Sequence, residues 1–299
     1  MATANSKIKL VTHNGSFHTD DVFAAAALSL LLKNKKLEII RTRNSEAIKQ
    51  ADYVFDVGGV YNEKNNRFDH HQIGFKAKRK NGLPYSSFGL VWKKFGSKIC
   101  SGEEVKNYID KLLVQQIDAT DNGVNVFKST TAHPFNYDIS SVTASYLPVW
   151  GEKDSTKFFD NAVKFAIHIL NKEIKQFKAL IKAKKLIGAA YKKSKNKKVL
   201  VINADIPRYL ADIATNEYKS LLYLVFKDEK NWKVLAVRKK AGRFENKKSL
   251  PKSWAGLTGK KLQKVTGVPD AIFCHKGLFL AVAKSREGAI ELARKALAS

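Results

Sequence analysis

The stretch KIKLVTHNGSFHTDDVFAAAALSLLLKNKKLEIIRTRNSEAIKQADYVFD, residues 7–56, decides the fold. Ile8 to Val11 is a short apolar strand. Asp20 to Leu32 carries the Ala-rich and Leu-rich packing positions of a helix. Leu37 to Thr42 reads as a second strand, Ser45 to Gln50 as a short helix, and Tyr53 to Phe55 as a third strand ending at Asp56. This βαβαβ order predicts an α/β fold, a parallel sheet with helices on its faces and right-handed crossovers. Such sheets collect their working groups at the carboxyl edge, just beyond the strand ends.

Beyond this stretch, Val57 to Pro84 reads as a loop holding Gly58-Gly59, Gly74 and a basic tract, Lys76 to Lys80. Helical patterns come next at Ser87 to Phe95 and Glu103 to Ile117. From Phe158 to Tyr191 the apolar residues Phe159, Val163, Ala166, Leu170, Ile174, Phe177 and Ile181 fall three or four apart, which predicts one long amphipathic helix, or two broken ones, whose apolar face packs. Lys192 to Lys198 reads as an exposed turn or linker. Strands are expected at Val199 to Ile202, Leu221 to Phe226 and Trp232 to Val237, and a hairpin at Ala271 to His275 and Leu278 to Ala283. Partial helix at Ser253 to Thr266 and a final helix from Glu287 to Leu297 complete a smaller α+β domain. The division expected is residues 1–191 and residues 192–299.

The chain of 299 residues carries a net charge of +27, from 54 basic and 27 acidic residues. Such a field attracts polyanions. Of the basic residues 45 are Lys and nine are Arg. An excess of Lys beside abundant Asn and Ile also arises from genome composition, so both readings of the charge stand. No apolar run is long enough to span a membrane. The first residues show neither the basic-then-apolar pattern of a signal peptide nor an Arg-rich amphipathic one. Two distant cysteines, Cys100 and Cys274, suit a reducing compartment without a disulfide framework. The localisation expected is cytoplasmic.

Four clusters hold the chemistry-capable side chains of the first half. They are Thr12-His13-Asn14-Gly15-Ser16-Phe17-His18-Thr19-Asp20-Asp21, Asp56-Val57-Gly58-Gly59, Arg67-Phe68-Asp69-His70-His71-Gln72, and Gln116-Ile117-Asp118-Ala119-Thr120-Asp121-Asn122-Gly123. His133 is a weaker neighbour. Mixed His and Asp at strand ends suit a divalent centre, because carboxylates favour hard cations and imidazole shifts preference toward transition metals. Taken singly, each has an ordinary alternative. Asp20 could serve as an N-cap and Gly58-Gly59 as a turn.

Asp69-His70-His71, after a strand-ending Asp56 and before Asp118, resembles the DHH phosphoesterase superfamily. The longer runs around these residues more closely resemble the family of the melanocyte proliferating protein. So do Leu250-Pro251-Lys252-Ser253-Trp254-Ala255-Gly256-Leu257 and Ile272-Phe273-Cys274-His275-Lys276-Gly277-Leu278-Phe279 near the end of the chain. The resemblance covers nearly the whole sequence. It implies a DHH-type N-terminal domain and a metal-dependent 3′-to-5′ RNA exonuclease, of a kind placed in mitochondria and nucleolus in eukaryotes. One departure is that His18-Thr19-Asp20 stands where the superfamily has two Asp residues two apart, so His18 replaces a carboxylate.

The resemblance also implies roles for single residues. Two divalent ions, Mn²⁺ first and Mg²⁺ as the alternative, are held by His13, His18 and Asp56 and by Asp20, Asp56, His70 and Asp118, with Asp56 shared. Asp121 competes with Asp118. His71 faces the scissile phosphate as a donor, and Asp69 orients a neighbouring imidazole or is a turn-former. Arg238, Arg243, Lys252, Trp254, His275 and Lys276 are the substrate-binding candidates of the second domain. Core packing is the alternative for Trp254, and a hydrogen-bonded turn for His275. The partner expected is single-stranded RNA or short oligonucleotides, with no membrane; a homo-oligomer is compatible. Two other functions fit the same residues: a phosphoesterase on small phosphorylated compounds, and a non-catalytic metal-containing RNA-binding protein.

Overall fold

A computed structural model of the chain describes residues 7–127, 136–153, 156–240 and 242–299. His133 lies outside them. The chain divides into two compact units at Phe177/Lys178.

The first unit begins β1 (Ile8–Thr12), α1 (Thr19–Leu31), β2 (Leu37–Arg41), α2 (Ser45–Lys49) and β3 (Tyr53–Phe55). β1 pairs in parallel with β2 on one side and β3 on the other. The strand run therefore reverses direction across the sheet at β1, and the crevice beyond β1 and β3 is where such sheets bind ligands. The stretch read as a loop contains a small hairpin, β4 (Tyr61–Asn62) and β5 (Arg67–Phe68). It extends the sheet to the order β2-β1-β3-β5-β4, with β5 parallel to β3 and β4 antiparallel to β5. Strands of two residues carry no alternation, so periodicity does not mark them. Their effect is large: β5 sets Asp69, His70 and His71 at the end of a strand parallel to β3.

α3 (Ser87–Cys100) packs on α1. Every residue of α1 from Thr19 to Leu28 is buried. Its small residues Ala24–Ala27 let neighbouring backbone come close. α4 (Glu103–Ile109) runs into a π-helical turn, Asp110–Val114, and then α5 (Gln115–Asp121). The sequence pattern predicts one uninterrupted helix to Ile117. The extra residue of a π turn rotates the next helix by about 100° and so resets which side chains of α5 face inward. α6 (Ile139–Ala144) is N-capped by the Asp138 carboxylate, which accepts from the Ser140 and Ser141 amides at 3.0 Å. α7 (Thr156–Lys193) is the long helix expected, and the boundary between units falls inside it. In the first unit its Phe159 meets Phe17 edge-on and its Phe177 stacks on Tyr108.

The second unit has β6 (Val199–Asp205), α8 (Arg208–Thr215), β7 (Tyr223–Lys227), β8 (Trp232–Ala236), α9 (Gly259–Thr266), β9 (Ala271–Cys274), β10 (Leu280–Ala283) and α10 (Arg286–Ala298). Its sheet runs β6-β7-β8-β10-β9, parallel only between β6 and β7. α9 and α10 pack on this sheet, over a core that includes Tyr223, Leu262, Leu292 and Trp254. The buried Tyr223 hydroxyl lies within hydrogen-bond distance of the Ser249 and Ala296 carbonyls and donates to them. The fold is thus α/β, with a largely parallel first sheet and a mixed second one.

Candidate metal centre

The crevice at the carboxyl edge of β1, β3 and β5 collects titratable residues from all four sequence clusters. His13 comes directly after β1. It is 4% exposed, and its Nε2 lies 3.2 Å from Asp56 Oδ2 and 3.3 Å from Asp21 Oδ2. Asp56 comes directly after β3 and is buried. Its φ of +56° is the left-handed region, which Asp tolerates better than most residues but which still stores strain. Its Oδ1 accepts from Ser87 Oγ at 3.2 Å and lies 3.4 Å from His71 Nδ1 and 3.5 Å from His70 Nε2. His70 Nε2 is also 3.2 Å from Asp121 Oδ2 and 4.0 Å from Asp20 Oδ2.

The first turn of α1 supplies Asp20 and Asp21. His18 is the N-cap residue, and its backbone N–H donates to Asp21 Oδ1 at 3.0 Å. Asp21 is thus the turn's own capping partner as well as a neighbour of His13. Asp69 accepts from the Gly59 amide at 2.6 Å, the His71 amide at 3.1 Å and His71 Nδ1 at 2.9 Å. It locks the β5 loop onto the Gly58-Gly59 turn. His71 is open, its side chain 61% exposed, and His18 is exposed as well.

Electrostatics divide these groups. Burial pushes Asp20 well above the usual carboxylate range, and the neighbouring Asp56, Asp121 and Asp21 push the same way. Burial likewise lifts Asp21 to about 7 against the pull of His13, and raises Asp121 against His70. For Asp56 burial also acts upward, but the close His13 and His70 imidazoles outweigh it and hold that carboxyl below its ordinary value. Burial lowers His13, yet Asp56 and Asp21 bring it out above its usual value. The Asp69 contact raises His71. Burial acts upward on Asp69 too, but the His71 and Gly59 hydrogen bonds leave it lowered.

Three buried carboxylates, Asp20, Asp21 and Asp56, with the half-buried Asp121, surround the buried His13 and half-buried His70 imidazoles, an arrangement that needs positive charge. Among the described residues, both oxygens of Asp20, Oδ2 of Asp21 and Asp56, and Nε2 of His70 are buried without a hydrogen-bond partner. Three donor triads lie close enough to converge: His13, His18 and Asp56; Asp56, His70 and His71; and His18, Asp20 and Asp121. Carboxylate oxygens with imidazole nitrogens are a donor set for a divalent cation. The residues present fit one.

Asp118, favoured on sequence grounds, does not stand with this group. Its carboxylate accepts from Ser86 N and Oγ at 3.1 and 2.8 Å and from Arg79 Nε and Nη2 at 3.1 and 2.6 Å. The other side of Arg79 donates through Nη1 to both oxygens of Asp110, and its guanidinium lies over the Tyr85 ring. Gly89 leaves the room required, since a Cβ there would come within 2.4 Å of the Asp118 oxygens. Asp121, one turn later on α5, reaches the crevice instead. Sequence reasoning does not single out Arg79 as the partner of Asp118, because its place inside a basic tract hides it.

In the second unit Trp254 is 4% exposed within the core, so its faces are covered and the packing alternative holds over base stacking. His275 Nδ1 accepts from the Gly277 amide at 2.9 Å within its own turn. Arg238 is held by the Arg243 carbonyl, by Asp212 and by the Phe244 ring. Arg243 is exposed, while Lys252 and Lys276 lie at exposed positions beside the buried Trp254 and the His275 turn.

The family model MYG1_exonuc, described as "Uncharacterised protein family (UPF0160)", matches residues 9–297. This chain belongs to the MYG1 family. The MYG1 exonuclease of Mus musculus is 30% identical over 322 residues, covering 97% of this chain and 85% of its own. The MYG1 protein of Chlamydia muridarum is 32% identical over 284 residues, covering 94% and 93%. RecJ from Thermus thermophilus, solved in complex with Mn²⁺, aligns at 10% identity with a TM-score of 0.30, over 97% of this chain and 52% of that one. The chain thus spans about half of RecJ. The MYG1-family match contains all four clusters of the crevice.

Proposed function

We propose that this MYG1-family chain is a metal-dependent 3′-to-5′ exonuclease that hydrolyses the phosphodiester bonds of RNA with two divalent cations, Mn²⁺ first. The observation that carries the reading is the buried cluster at the sheet reversal, in which Asp56 belongs to two donor triads at once. The exonuclease name of its relatives supports the reaction class. His13, His18 and Asp56 would hold one cation; Asp20, Asp56, His70 and Asp121 would hold the other, with Asp121 in the place expected for Asp118. Bound there, the cations supply Lewis acidity and a water of lowered pKa.

The chain's own groups do the rest. His71, exposed at the mouth of the crevice and held by Asp69, is placed to donate to a phosphoryl oxygen as charge develops there, and the Asp69 contact shifts its pKa in the direction that favours this role. Asp69 fixes the ring by taking its Nδ1–H, so Nε2 is presented outward. Asp21 holds His13 and the first turn of α1 together. Arg243, Lys252 and Lys276 offer phosphate contacts.

The test is nucleotide release from 5′-labelled single-stranded RNA in manganese buffer. The expected result is a ladder shortening from the 3′ end with wild type and none with Asp56→Ala or His70→Ala. A folded, metal-loaded wild type that releases nothing from RNA, DNA or dinucleotides would overturn the nuclease and favour a binding protein.

A further inference from the structure

Two clefts open on the candidate centre, and they differ in the side chains that line them. One, of about 520 Å³, has the ionisable groups His13, Arg43, Asp69 and His71 and the Gly58-Gly59 turn in its walls. The other, of about 300 Å³, has Phe17, Ile117, Ala144 and Leu147 as its apolar wall. His18 borders both, and Asp121 borders the second, so each is continuous with the donor groups.

The second cleft has no Lys or Arg among the described residues that line it, on a chain with a net charge of +27. Those residues offer a phosphate no cationic side chain to pair with. Its volume stands at the lower end of the roughly 300–1,000 Å³ typical of small-ligand sites, which suits one ring system and not a run of nucleotides. One polar atom in its lining is unused: Ser140 Oγ is buried with no hydrogen-bond partner among the described residues. A hydroxyl donates and accepts, so it can meet the polar edge of a purine or a pyrimidine alike.

We infer that this cleft is the subsite for the single nucleobase next to the scissile phosphate, while the sugar-phosphate chain lies in the first cleft. The inference rests on the phosphodiesterase reading above. It makes the enzyme require a base but not a particular one, because the wall of Phe17, Ile117, Ala144 and Leu147 gives apolar contact and the hydroxyls beside it, Ser140, Thr19 and Thr120, both donate and accept.

The test separates the two claims by using equilibrium binding, which needs no turnover. Affinities of adenosine 5′-monophosphate and ribose 5-phosphate are measured by calorimetry in manganese buffer for wild type, Ala144→Phe, Leu147→Ser and Ser140→Ala. Wild type is expected to favour the nucleotide about ten-fold or more, the scale of apolar base contacts. Ala144→Phe and Leu147→Ser should bring the ratio toward one with ribose 5-phosphate affinity kept, and Ser140→Ala should reduce it less. If Ala144→Phe does not fold, the two smaller changes decide. Equal affinities in wild type, or a ratio unchanged in every variant, overturn the subsite even where the RNA ladder appears. A ratio that collapses in the variants upholds the subsite, even where no ladder appears and the nuclease reading falls.

Discussion

Asp20 is fully buried, neither of its oxygens has a hydrogen-bond partner among the described residues, and three other carboxylates crowd it. A side chain so placed opposes folding until a cation arrives, the usual exchange of stability for function. Asp20→Asn should therefore raise the thermal midpoint measured in chelator by a few degrees, the shift that about 1 kcal/mol gives a unit of this size. The same variant should lose most of the rise that manganese gives wild type, which at a hundred-fold excess over Kd is about 2.7 kcal/mol. A variant no more stable in chelator, or still fully responsive to manganese, would count against Asp20 as a ligand. At this scale much is legible in the sequence. His13, His18, Asp20, Asp56, His70 and His71 all stand out because polar residues are grouped just past strand ends, and the structure gathers them in one crevice. The choice between Asp118 and Asp121 is not legible. Three residues apart on one helix, they share nearly the same face, and it is the distant partners Arg79 and Ser86 that set Asp118 apart.

At the scale of elements, the Arg79 guanidinium ties the loop before α3 to the π turn through Asp110 and to α5 through Asp118. Breaking a buried pair by removing one partner costs about 3–5 kcal/mol, because the other charge is left behind. Arg79→Met should do this, and its effect should depend on pH. Burial lifts Asp118 to about 6 while Arg79 pulls down. A carboxyl raised in the folded state contributes stability that is full below its unfolded value, near 4, and is lost as pH rises through the folded one. Without Arg79 the folded value climbs further and the loss continues above pH 6. The midpoint gap between wild type and Arg79→Met should thus be larger at pH 8 than at pH 5; a constant gap would mean that Asp118 is not ionised in the wild type. The βαβαβ order is readable because its strands and helices keep their periods. The β4–β5 hairpin and the π turn are not, since two-residue strands and a one-residue insertion leave no period to read.

Over the whole molecule, 45 lysines spread a positive field. If this field recruits RNA, KM for a long single-stranded RNA should rise about ten-fold or more over a four-fold increase in salt, because releasing counterions into more concentrated salt gains less free energy. A dinucleotide should change little. Equal responses would assign the lysine excess to composition alone. The two-part organisation is legible from the change in pattern after the Lys-rich tract, whereas the contact boundary lies earlier, at Phe177/Lys178, within a helix that shows no break in its sequence. The strand order has a consequence of another kind. The candidate donors come from separate stretches running from His13 to Asp121, brought together only when the sheet has closed and α5 has docked. No one of these stretches supplies a whole donor set. A chain leaving the ribosome therefore has little with which to capture an ion early, and metal loading becomes a late step of maturation, governed by which cation the finished crevice meets.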